Sequence, residues 1–209
     1  MARADFPGEL TSESIRTQSR QALVETIRKA AAAGVDWIQI REKDLPARGL
    51  AEIAKRAIGC TLRTSTQIVL NDRLDVALAT GAAGVHLGES SIPVETVSEW
   101  RRSAGPTDFR IGVSCHSMEA ALAAEDSGAD YIFFGPVFAT PSKAAYGAPQ
   151  GIDNLQRVCR AVRIPVLAIG GVTVENAGSC IAAGARGVAA IRLFQESDDL
   201  SVLVNRLRG

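Results

Sequence analysis

The chain has 209 residues, 46 % of them hydrophobic and 22 % charged, with 23 basic residues balancing 23 acidic ones. That length and balance suit one ordinary soluble domain with a full core, and a net charge of zero without a basic tract excludes nucleic-acid binding by bulk electrostatics. No apolar run reaches the roughly 20 residues a membrane helix needs, no apolar signal core opens the chain, and Cys60, Cys115, Cys159 and Cys180 are too far apart for a CxxC or Cys/His metal site, so reduced thiols in a cytoplasmic protein are expected.

Residues 1–18 are polar, carry Pro7 and Gly8, and are expected to be irregular; a short strand around Ala4–Phe6 is the alternative. The first clear amphipathic helix is expected from about Arg20 to Ala33, and it ends at Gly34 ahead of the apolar "WIQI". The same signature, an alanine-rich helical run, a glycine and a short apolar strand, returns at Gly81 before "GVHL", at Gly128 before "YIFF" and at Gly184 before "GVAA". Glycine suits a helix C-terminus because it enters the left-handed region without a Cβ clash. These glycines stand 47, 47 and 56 residues apart, about twice what one strand, helix and their loops require. The intermediate strands are "QIVLND", "RIGVSC" and "VLAIGG". Regular alternation of strand and helix predicts a parallel sheet, and its persistence through residues 1–209 predicts a single (β/α)8 TIM barrel. Seven strands can be found where the fold has eight, so the first strand is missing or degraded.

Sites in such barrels lie at the C-terminal ends of the strands and in the loops that follow. In "WIQIREK", alternation puts Ile38 and Ile40 under the helices and Gln39, Arg41 and Lys43 into the upper barrel. Two cations there call for an anion; the alternative is an internal ion pair with Glu42 or Asp72. The next strand ends in Asn71 and Asp72. A carboxylate facing a basic cluster suits Mg²⁺ held between protein and phosphate, although Asp72 is also placed to cap the following helix. Further along, strand ends bring His86, Glu89 and Ser91, then Ser114, Cys115 and His116. The loop "FATPSKAAYG" offers Thr140, Ser142 and Lys143, all suited to phosphate oxygens. Gly170 and Gly171, and the amides near Ile191 after "GVAAI", occupy the usual phosphate pocket of the fold. Neither histidine belongs to a nucleophile-base arrangement, and each reads more readily as structural. The residues together describe a site for two phosphorylated groups and a divalent metal.

From about Leu23 onward, "QIREK", "ND", "GVHLG", "GVSCHS", "GADYIFFGPVFATPSK", "AIGGV" and "AGARGVAAI" resemble the thiamine-phosphate synthase and thiazole tautomerase superfamily, with the synthase the nearer branch. The resemblance implies a transferase of thiamine biosynthesis. It would join a hydroxymethylpyrimidine diphosphate to a thiazole phosphate and release pyrophosphate by a dissociative, Mg²⁺-assisted route. It implies Arg41, Lys43, Ser114 and Lys143 as catalytic residues, with Asn71 beside them on the pyrophosphate, Gln39 near the pyrimidine and Asp72 on Mg²⁺. Thr140, Ser142, Gly171 and the amides near Ile191 would take the thiazole phosphate, and His116 would border the substrates. Ser91 stands where synthases usually place a second metal-binding aspartate. That replacement and "SCHSMEAA" look like the tautomerase branch, whose acid/base would be His116; a non-catalytic phosphate-binding barrel is the remaining alternative. The expected partners are small phosphorylated substrates, not nucleic acid or a membrane, and a homo-oligomer is allowed.

Overall fold

The structure is a computed structural model that describes residues 12–140 and 148–209, with the side chains of the first helix described from Arg20 onward. Seven strands are present among these residues: β1 (Trp37–Ile40), β2 (Gln67–Asn71), β3 (Gly84–Leu87), β4 (Arg110–Cys115), β5 (Tyr131–Phe134), β6 (Val166–Ile169) and β7 (Gly187–Ala189). Helices α1 (Ser12–Ala32), α2 (Ala47–Thr61), α3 (Leu74–Thr80), α4 (Val94–Ala104), α5 (Met118–Asp126), α6 (Gly151–Ala161) and α7 (Val174–Ala182) alternate with them, and α8 (Arg192–Gln195) and α9 (Leu200–Arg208) follow β7. The sheet is parallel with strand order β1-β2-β3-β4-β5-β6-β7. The four repeat glycines take the conformation their positions predict: Gly34, Gly81, Gly128 and Gly184 have φ of 85°, 72°, 93° and 101°.

Two apolar clusters lie between the strands and the helices. One gathers Ile40, Ile68, Leu70 and Val85 with Val24, Leu50 and Ile53. The other gathers Ile132, Phe134 and Ala168 with Leu155 and Cys180. Alternate residues point the other way, and their contacts prove that the sheet curls. Trp37 on the edge strand meets Tyr131 four strands away, with ring centroids 4.7 Å apart. In a flat sheet those strands would stand roughly 19 Å apart at the usual spacing. Helix α9 is tied to the turn before β1 on the outside as well: Arg208 donates to the Gly34 carbonyl at 2.6 Å and to the Asp36 carboxylate at 2.8 Å.

The architecture is the expected α/β TIM-barrel type, with seven strands among the described residues and β1 and β7 as its two edges. The alternative first strand at Ala4–Phe6 lies outside the described residues. Helix α1 already begins at Ser12, so positions 12–18, expected to be irregular, are helical: the polar run is the first part of a helix whose apolar positions begin later in the sequence.

Candidate active site

Because all seven strands run parallel, their C-terminal ends converge on one end of the barrel. Four expected residues form a continuous hydrogen-bonded chain there. Gln39 on β1 donates through Nε2 to Asn71 Oδ1 at 2.8 Å. Asn71 Nδ2 donates to Asp72 Oδ2 at 2.7 Å, and Ser91 Oγ donates to Asp72 Oδ1. Ser91 is itself fixed by the Gly88 amide at 2.6 Å. Asp72 has a φ of 60°, an uncommon value outside glycine but one that Asp tolerates; its amide is held by the His86 carbonyl at 2.9 Å. The expected alternative that Asp72 caps the next helix does not hold. The N-cap of α3 is Arg73, with no side-chain cap, because both Asp72 oxygens are drawn to Asn71 and Ser91 instead.

Arg41 and Lys43 are exposed at the rim beyond the end of β1. Arg41 continues the alternation that turns Gln39 inward, whereas Lys43 lies in a turn, where strand alternation no longer fixes its direction. Neither pairs with Glu42 or Asp72, and neither forms an ion pair with another described residue. Among the described residues, no carboxylate neutralises either charge.

Below the rim, His86 is only 2 % exposed and lies between two hydroxyls: its Nδ1 is 3.2 Å from Tyr131 Oη and its Nε2 is 2.9 Å from Ser114 Oγ. Tyr131 occupies space that a side chain on the facing strand would fill; a Cβ on Gly112 would lie 2.1 Å from its ring. Burial pushes His86 down to about 4 and Tyr131 up, as it pushes the Cys115 thiol, to about 12 for the latter. Both ring systems are therefore neutral near pH 7, and Cys115 offers no thiolate. From about pH 6.5 down to about 4 the unfolded chain binds the His86 proton and the folded one does not, so stability falls as pH falls through this window and the loss levels off below it. Full protonation of the unfolded state alone is worth on the order of 3 kcal/mol. Urea midpoints at pH 7, 5 and 4 are expected to fall more steeply for the wild-type protein than for His86→Gln.

His116, just after β4, is half-buried and donates through Nδ1 to the Gly135 carbonyl. Across the mouth, the segment after β5 is laid on the end of β6: Val137 N donates to Ile169 O at 2.9 Å and Phe138 N to Gly170 O at 3.0 Å. Gly171 makes this approach possible. Its φ is 65°, and a Cβ there would lie 2.6 Å from the Ala139 carbonyl oxygen. Thr140 is thereby brought beside the loop after β7, where Ile191 is 62 % exposed and Arg192 donates to Thr140 Oγ1 at 3.0 Å. Ser142 and Lys143 lie outside the described residues. Arg192 and Tyr131 were not singled out from the sequence; each carried a signal, a cation ending the apolar "GVAAI" and the inward position of "YIFF".

The described residues contain no group of three His, Cys, Asp or Glu that could hold a metal ion. Asp72 nonetheless fits a Mg²⁺ that shares its coordination with phosphate, since such ions often bind through one or two carboxylates plus phosphate oxygens and water.

The thiamine monophosphate synthase family model matches residues 11–194. The chain belongs to this family. A putative thiamine-phosphate synthase of Geobacter sulfurreducens is 46 % identical over 191 residues, which are 91 % of this chain and 87 % of that protein. A thiamine-phosphate synthase of Moorella thermoacetica is 40 % identical, covering 88 % of this chain and 86 % of its own. The solved thiamine phosphate pyrophosphorylase of Pyrococcus furiosus superposes with a TM-score of 0.80 at 34 % identity, over 91 % of this chain and 90 % of that one. Thiamine monophosphate synthase family membership at this coverage makes the chain a transferase of thiamine biosynthesis that acts on small phosphorylated substrates. No helix among the described residues is long and apolar enough to cross a membrane.

Proposed function

We propose that the protein joins hydroxymethylpyrimidine diphosphate to thiazole phosphate in the cytoplasm, with Mg²⁺ as cofactor. The observation that carries this reading is the chain Gln39–Asn71–Asp72–Ser91 beside Arg41 and Lys43, cations that pair with no carboxylate among the described residues. It offers a ring-facing amide, a carboxylate and two cations on one rim. The carbon–oxygen bond to the diphosphate breaks, with its electron pair leaving on the diphosphate. The thiazole nitrogen then gives its lone pair to the resulting pyrimidinylmethyl cation. Arg41, Lys43, Asn71 and Lys143 hold the departing charge where it develops, and Ser114 donates to the same group. Gln39 orients the pyrimidine. Thr140, Ser142, Gly171 and the amides near Ile191 hold the thiazole phosphate, with Arg192 beside Thr140 adding a cation. Asp72 would hold Mg²⁺, which supplies neutralisation of the diphosphate oxygens. Incubation with both substrates and Mg²⁺ is expected to yield thiamine phosphate and pyrophosphate; absence of product sinks the reading.

Ser91 in the place of a second aspartate favours a second reading, a tautomerase that moves a proton through His116. The two readings diverge at that residue. Capture of a cation needs no base there, so His116→Asn is expected to reduce thiamine phosphate formation only modestly, by less than about tenfold, whereas a proton shuttle loses a factor of about 10²–10⁴. Complete loss of activity with an unchanged circular dichroism spectrum would instead assign His116 an acid/base role.

A further inference from the structure

We propose that Tyr131 and His86 are positioning residues that fix the direction in which the Ser114 hydroxyl donates its proton. The inference rests on the synthase reading above for what Ser114 faces, and on hydrogen-bond accounting for the rest.

His86 has a hydroxyl at each ring nitrogen, Tyr131 Oη at 3.2 Å from Nδ1 and Ser114 Oγ at 2.9 Å from Nε2. A hydroxyl can donate or accept, and a neutral imidazole has one nitrogen of each kind, so two arrangements are open in principle. Tyr131 decides between them. It is only 2 % exposed, enclosed by Trp37 and Phe133, and its hydroxyl has no hydrogen-bond partner other than His86 among the described residues. If Nδ1 carried the proton, Tyr131 would accept from it and its own hydrogen would be buried without an acceptor, which is costly. A doubly protonated ring would leave the same hydrogen stranded. Tyr131 therefore donates to Nδ1, the ring is the Nε2–H tautomer, and Nε2–H donates to Ser114 Oγ. Ser114 cannot give its hydrogen back to a nitrogen that already bears one. That hydrogen is left to point away from His86, and the upper strand end is where the diphosphate lies. The same accounting gives a task to a histidine buried below the rim, and to Gly112 on β4, whose missing side chain leaves room for the Tyr131 ring.

Without the tyrosine hydroxyl, either tautomer is available, and in one of them the Ser114 hydrogen turns toward Nε2 and away from substrate. Tyr131→Phe keeps the ring and the packing. It is expected to lower kcat about tenfold, the scale of one neutral hydrogen bond, while KM for thiazole phosphate stays unchanged. In a Ser114→Ala background the same change is expected to cost less than about twofold, because coupled residues are not additive. His86→Gln, which keeps an N–H donor near the Nε2 position, is expected to retain more activity than His86→Leu.

A direct reading needs no variant in the relay. The chain has 2 histidines, so the His116→Asn protein gives a single-histidine ¹H–¹⁵N spectrum, which is expected to show the Nε2–H tautomer at neutral pH. An Nδ1–H tautomer, or equal effects of Tyr131→Phe with and without Ser114, would overturn the relay even if turnover is normal. A wild-type protein that forms no thiamine phosphate would instead overturn the synthase reading, and the positioning role with it.

Discussion

Arg41→Ala is expected to lower turnover of the diphosphate substrate by at least about 100-fold, the scale of losing one preorganised donor where charge develops. The surroundings of Arg41 make this a clean experiment. The side chain is exposed and pairs with no described carboxylate, so truncation leaves no orphaned partner, and the unfolding free energy should move by no more than about 0.5 kcal/mol. The loss should fall mainly on kcat, because the diphosphate gains negative charge as the carbon–oxygen bond breaks. Lys43→Ala should act in the same direction and by a similar factor. Arg41→Lys should restore little, since an ammonium cannot reproduce the fork with which a guanidinium grips two phosphate oxygens. Steady-state kinetics with thiamine phosphate as the readout, beside urea unfolding of the same samples, separates turnover from stability. Wild-type turnover in Arg41→Ala removes the clamp from the mechanism.

The strands and their order were legible because two local signals reinforced each other. Apolar stretches such as Ile68–Leu70 and Ile132–Phe134 alternate with amphipathic helices, and each repeat closes on a glycine that the backbone needs at positive φ. Gln39 was placed on the rim by period-two alternation and Asn71 by its position at a strand end, and the two touch. What alternation could not reach begins where strands stop. Lys43 sits in a turn, the Asp72 carboxylate goes to Ser91 across 19 positions of sequence, and neither fact follows from local pattern. The start of α1 was missed because the first part of that helix is polar, and apolar periodicity is silent there. The contact between His86 and Tyr131 spans 45 positions and depends on the sheet curling, so the sequence shows two inward residues without showing that they meet. Arg192 was visible as a cation at the end of a strand; that it reaches Thr140 depends on how the segment after β5 is laid over Gly170 and Gly171.

Asp72→Asn is expected to abolish the binding of Mg²⁺ that depends on pyrophosphate and to cost at least about 100-fold in turnover, again the scale of removing a charged contact to the transferring group. The substitution is mild in every other respect: asparagine also tolerates a positive φ, and its carbonyl can still accept from Ser91 or Asn71. In the wild-type protein, one carboxylate with both oxygens already hydrogen-bonded is a poor ligand for an ion that gives up water reluctantly. Calorimetry is therefore expected to show weak Mg²⁺ binding by the free protein and clear binding once pyrophosphate supplies further oxygens. Ser91→Asp tests the same geometry from the other side. Ser91 Oγ meets Asp72 Oδ1 directly, so a second carboxylate there places two negative charges side by side, costing about 1 kcal/mol in this exposed setting when no cation is present. The ion relieves that repulsion, so its affinity in the presence of pyrophosphate should rise about tenfold while the metal-free protein unfolds at lower urea. Tight binding of Mg²⁺ by the free wild-type protein, unchanged in Asp72→Asn, would place the metal elsewhere and leave the Asp72 carboxylate at the end of β2 with a structural task alone.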